Sequence, residues 1–264
     1  MPFHTISPSR ILRRVRHKVL GSLPPKLDPR LSGMEKVFRS PPMTRDLSRA
    51  ISLISPHFEF RPNEADRAFW EADQNGSCWA EYEALRDTFA EMPKPMRVLE
   101  IGPGMGRSLV FFSKKLGWEN IELHAYEGDG ELTKYTDDGP RFEDSFCGTI
   151  SELQNVLNFN DIRNVTIHDA KKIAMRELPG PFDLVYGFYT IGFHWSLKHF
   201  LDDVLALIGD RGRAIFTVSH YFKPFDELSS RTIFTVMDKE KVWPPGEWAK
   251  LIILSKKRTT GGIT

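Results

Sequence analysis

The stretch Val98-Leu99-Glu100-Ile101-Gly102-Pro103-Gly104-Met105-Gly106 decides the fold. Arg97 to Ile101 is a short apolar run of the kind a buried strand needs, and glycines follow it at alternate positions. Leu109, Val110, Phe112 and Leu116 then recur at helical spacing up to Gly117, a helix stop. Strand, tight glycine turn and helix form the opening unit of an open α/β sheet, which takes a nucleotide-like ligand beyond the strand's carboxyl end. Glycine suits such a turn because a Cβ atom would oppose positive φ values and the close approach of a ligand to the backbone.

The glycine spacing separates two ligand classes. A dinucleotide fingerprint, G-x-G-x-x-G, counted from Gly102 would need its third glycine where Arg107 stands. The chain has G-x-G-x-G instead, with Glu100 two positions ahead of the first glycine. This arrangement resembles the first motif of class I S-adenosylmethionine (SAM) dependent methyltransferases. The resemblance implies a SAM site on Glu100, Gly102, Gly104 and Gly106, with S-adenosyl-L-homocysteine as the product.

Later segments stay in register with that family. Ile121 to Tyr126 reads as a second strand ending at Glu127, a carboxylate placed to accept from both ribose hydroxyls. Residues 128–147 form a long polar loop suited to substrate contact. Ile150 to Phe159 has helical periodicity, and Asn164 to Asp169 is a third strand. In the resembled family an acid here accepts from the adenine amino group and the next amide reaches a ring nitrogen, which implies Asp169 and Ala170. His168 reads as structural. Phe182-Asp183-Leu184-Val185 opens a fourth strand, as in many class I methyltransferases, and a helix runs to Leu207. Gly212 to Ser219 is a fifth strand, and Arg231–Met237 with Trp248–Ser255 form a closing antiparallel hairpin.

The fold class expected is therefore α/β: a Rossmann-like doubly wound sheet of about seven strands with a closing antiparallel hairpin, plus a helical N-terminal segment. Residues 1–92 form a basic tail and a helical lid on the substrate side, and 93–264 the SAM-binding domain, with Pro93-Lys94-Pro95 at the boundary. Within the first part, prolines leave room for a short helix over Arg45–Ser55. Residues 63–91 read as helical with a turn-like break at Asn75-Gly76-Ser77.

Methyl transfer is an in-line displacement, so the protein chiefly positions the reactants and excludes water. His194 and His220 follow the carboxyl ends of central strands and are the candidate general bases for a hydroxyl acceptor. Tyr189, Trp195 and Tyr221 are the candidate walls for the acceptor. The His194-Trp195 pair is similar to small-molecule methyltransferases such as those acting on trans-aconitate. The function expected is methyl transfer from SAM to a small-molecule or sugar-like acceptor, with O-methylation favoured. The rival readings are a non-catalytic methyltransferase-like binding module and an NAD-binding oxidoreductase.

Composition narrows the classes further. The 264 residues carry a net charge of +1, 41% apolar residues and two cysteines, Cys78 and Cys147, in no metal or redox spacing. Asp202 and Asp203 face different sides of a helix, so no metal site is expected. Residues 1–27 hold Arg10, Arg13, Arg14, Arg16, Lys18 and Lys26 and no acid, which leaves the remainder mildly acidic. With no base-flipping motif either, no nucleic-acid partner is expected. The basic tail, with Ile11, Leu12, Val15, Val19 and Leu20 as an apolar side, fits weak contact with a membrane surface, an organelle transit peptide or a plain flexible tail. The expected compartment is cytoplasmic, peripheral to a membrane if the tail binds one.

Overall fold

The computed structural model describes residues 35–54, 61–92, 95–117, 121–128, 149–192, 195–219, 222–238 and 249–257. Its strands are β1 Arg97–Ile101, β2 Glu122–Glu127, β3 Val165–Asp169, β4 Phe182–Gly187, β5 Ile208–Ser219, β6 Thr232–Asp238 and β7 Ala249–Lys256. The helices are α1 Arg45–Ile54, α2 Glu64–Ala90, α3 Arg107–Leu116, α4 Ile150–Phe159, α5 Leu197–Leu207 and α6 Asp226–Arg231.

The seven strands make one sheet in the order β3-β2-β1-β4-β5-β7-β6. β1 to β5 run parallel, and β7 inserts antiparallel between β5 and β6, so the hairpin closes the sheet as expected. Both faces are buried, which is why the strands read as apolar runs rather than as alternation. Val98, Leu123, Leu184 and Ile215 point to one face, where they meet Leu109–Phe112 of α3, Val156 of α4 and Leu85 and Phe89 of α2. Leu99, Ile101, Val185 and Phe216 point to the other, against Leu201 and Val204 of α5.

Local chemistry explains the ends of the helices. Gly117 caps α3 in the left-handed region at φ 69, as its position in the sequence implies. Thr149 and Glu152 form a reciprocal capping box at the start of α4.

One expectation is corrected. Asn75-Gly76-Ser77 is not a turn, because α2 runs unbroken through it. Gly76 and Ser77 are buried, where small side chains are needed, and Asn75 finds partners outside its own helix. Its Oδ1 accepts from the amides of Val37 (2.9 Å) and Phe38 (3.0 Å), and its Nδ2 donates to the carbonyl of Phe38 at 2.7 Å. The adjoining chain is held in the same way, since Ser40 donates its amide to Glu71 and Arg39 donates its amide to Asn160. Three side chains thus do for 37–40 what a neighbouring strand would do, satisfying backbone groups that burial strips of water.

Among the described residues no helix is long and apolar enough to cross a membrane.

Candidate functional site

The site grows from the β1–α3 turn. Gly102, Gly104 and Gly106 all have positive φ, at 64, 55 and 74. Only two of them are needed for packing. A Cβ on Gly102 would collide with the methyl group of Thr190, and one on Gly106 would stand 2.7 Å from Leu153 Cδ1. A Cβ on Gly104 would meet nothing within 4 Å, so the turn faces open space there.

Glu127 stands beside that space. Its Oε2 accepts from the Gly104 amide at 2.7 Å and its Oε1 from the Gly128 amide at 3.0 Å. These two bonds fix the orientation of the carboxylate. Asp169 ends the neighbouring strand β3, directly opposite Glu127 in the register. Its Oδ1 accepts from the Lys171 amide at 2.9 Å, and Lys172 lies 2.8 Å from Oδ2. The Lys172 contact leads in holding its carboxyl below the usual range. Ala170 requires a correction. Its amide donates to the carbonyl of Glu127 at 2.8 Å, so it is committed to joining β2 and β3 and does not face a ligand ring.

Glu100 lies beneath the turn rather than in the open space. It is 1% exposed, and its two oxygens accept from the hydroxyls of Ser108 and Tyr186. Burial pushes its carboxyl up to about 8, with those two hydroxyls acting in the opposite direction.

Residues that no motif announces complete the wall. Arg107, the first residue of α3, makes a bidentate pair with the fully buried Glu81 of α2, both contacts at 3.0 Å. It also donates to Cys78 Sγ at 3.1 Å, and its guanidinium lies 5.7 Å from the centre of the Tyr189 ring. Burial pushes the Cys78 thiol up to about 12, so this cysteine is inert. Tyr189 itself sits at φ 60, a conformation that side chains seldom adopt. Thr190 then donates its hydroxyl to the carbonyl of Ile101 at 3.1 Å, tying the exit of β4 to the glycine turn.

Trp195 stacks on Phe200, with 5.7 Å between ring centres, and forms a bridge with Ile191. His168 lies on His124, with Nε2 2.8 Å from His124 Nδ1, in keeping with a structural role. His194, His220 and Tyr221 fall outside the described residues, as does most of the polar loop 128–147.

Sheet order and turn together define the class of this chain: a Rossmann-like α/β domain of the class I methyltransferase architecture. No protein-family model and no curated protein matches its sequence. Solved structures resemble it in fold. A precorrin-6y C5,15-methyltransferase from Geobacter metallireducens GS-15 is 15% identical, with 67% of this chain and 88% of that one covered and a TM-score of 0.42. A SAM-dependent methyltransferase from Aquifex aeolicus is 14% identical, with 65% and 87% covered and a TM-score of 0.42. A plantazolicin methyltransferase, in complex with a triazolic desmethylPZN analogue and SAH, is 12% identical, with 80% and 95% covered and a TM-score of 0.46.

Proposed function

We propose that the chain is a SAM-dependent methyltransferase acting on a small-molecule or sugar-like acceptor, most readily at a hydroxyl. The observation that carries the reading is Gly104, whose positive φ and open Cβ position leave room for a ligand against the backbone. Glu127, oriented by the amides of Gly104 and Gly128, would hold the ribose hydroxyls, and Asp169 would hold the adenine amino group. Gly102 and Gly106 keep the turn closed on Thr190 and Leu153, and Glu100 braces it from below. When bound, SAM supplies an electrophilic methyl group.

The rest is done by the chain's own residues. Tyr189, Trp195 and Tyr221 would wall the acceptor and exclude water. His194 and His220 follow β4 and β5 in the chain and are the candidates for taking the hydroxyl proton.

Calorimetric titration with S-adenosylhomocysteine, against NAD, tests the cofactor. The expected result is an affinity of about micromolar for S-adenosylhomocysteine alone. Gly104→Val should abolish it at a stability cost of about 1–2 kcal/mol, the penalty of a left-handed side chain. Binding of NAD instead, or unchanged affinity in Gly104→Val, would overturn the assignment.

A further inference from the structure

At the end of the sheet remote from the glycine turn, the start of β5 and the ends of the hairpin enclose a cleft of about 540 Å³ lined by Asp210, Arg211, Arg213, Ile233, Ser255, Lys256 and Lys257. Two features set it apart from an ordinary solvated surface. The first is charge. Four cations share the cleft with Asp210 as its acid, in a chain whose net charge is only +1. Arg213 is answered by Glu91 of α2 at 2.8 Å. Lys257 donates to the neutral carbonyl of Ser229 at 2.6 Å and so keeps its charge uncompensated there. Among the described residues no carboxylate pairs with Arg211 or Lys256.

The second feature is Ile233. It is 64% exposed, and Phe159, at 38%, is the other large apolar side chain exposed among the described residues. Ile233 stands on β6, the outermost strand of the sheet, paired in register with Ser255. A free anion would engage the cations alone, whereas a bilayer offers phosphates to the cations and an apolar boundary to Ile233.

We propose that this cleft is a docking surface for an anionic lipid bilayer. Arg211, Lys256 and Lys257 meet the headgroup phosphates, and Ile233 enters the boundary between headgroups and acyl chains. A soluble phosphate would use the cations and leave Ile233 without purpose, whereas a bilayer uses both. The inference is independent of the cofactor assignment. It would hold the chain to a membrane by the edge opposite Gly104, with the glycine turn directed away from the lipid. The sequence carries the same chemistry a second time, in the acid-free basic stretch 1–27 with its apolar side.

The experiment is co-sedimentation of the full chain with phosphatidylcholine vesicles, with and without phosphatidylserine. Binding should require the anionic lipid and weaken with salt. The triple variant Arg211→Glu, Lys256→Glu, Lys257→Glu should bind about a hundredfold more weakly, since each of the three cations near such a surface contributes about 1 kcal/mol. Because the tail could bind lipid by itself, a second variant reports on the cleft directly. Ile233→Trp should show a blue shift in emission over the wild-type chain when anionic vesicles are added. All three side chains reversed are at the surface, so unchanged thermal unfolding is the control for folding. The proposal fails if wild type ignores anionic vesicles, if charge reversal leaves binding unchanged, or if Ile233→Trp emission does not move. Saturable binding of inorganic phosphate without vesicle binding would also overturn it, by making the cleft a site for a soluble anion.

Discussion

Two carboxylates near opposite ends of β1, Glu122 of the neighbouring β2 and Glu100 of β1 itself, are held in opposite ways. At the amino end Glu122 pairs with Arg97 through two contacts, 2.7 and 2.9 Å, in a half-exposed setting, and the Arg97 contact draws its carboxyl down to about 2. At the carboxyl end Glu100 is buried under the glycine turn, and burial raises its carboxyl to about 8. Both groups have hydrogen-bond donors, so the number of partners does not separate them. Water does. In high dielectric an ion pair stabilises the charged form cheaply, while in the interior desolvation outweighs two good hydroxyl donors.

The largest effect falls at Glu81. Removing it leaves the Arg107 guanidinium buried beside the turn with no carboxylate, and a broken buried pair costs about 3–5 kcal/mol. Urea unfolding of Glu81→Gln should register that loss. A destabilisation under about 1 kcal/mol would mean that the pair is solvated and that the contrast between the two ends is false.

Next comes the turn. Gly102→Val must adopt a left-handed backbone and also displace Thr190, at a combined cost of about 2–4 kcal/mol. Gly104→Val meets no neighbour, so it should lose ligand at only the left-handed backbone cost of about 1–2 kcal/mol. The two variants compared by thermal unfolding separate packing glycines from the one that faces open space. Equal destabilisation would remove the distinction.

The pH dependence sharpens the contrast without a large perturbation. Glu100 keeps its proton in the folded state up to about pH 8, while an unfolded glutamate releases it near 4.5. The folded state therefore binds more protons between those values, and this contribution to stability declines as pH rises through the window. Glu122 runs the other way. Its contribution is present above about 4.5 and is lost as pH falls toward 2, muted by its exposure. Thermal unfolding against pH should show the upper slope flattened in Glu100→Gln, and an unchanged slope would place that titration elsewhere.

The smallest effect belongs to Arg97. Its exposed pair is worth about 1 kcal/mol or less, so Arg97→Gln should shift the urea midpoint slightly, and less still in high salt.

The same division between exposed and buried groups explains what could be read in advance. Helix α3 with its Gly117 stop, α4 over Ile150–Phe159, the strands and the closing hairpin were all legible, because each depends on periodicity and turn chemistry within a short window. The break expected at Asn75-Gly76-Ser77 failed because local propensity yielded to contacts from 37–38, far away in the chain. The amide of Ala170 was misplaced for a related reason. Sequence position cannot say whether an N–H faces a ligand or is consumed by the next strand.

The order of elements, the glycine turn and the acids at the ends of β2 and β3 are written in local patterns of residues. Tertiary structure decided which of these groups see water. It put Glu100 beneath the turn, joined Glu81 to Arg107 across 26 residues, and left open space above Gly104 alone of the three glycines. Periodicity is a local property of the chain, whereas burial and hydrogen-bond partnership depend on what the folded sheet brings alongside.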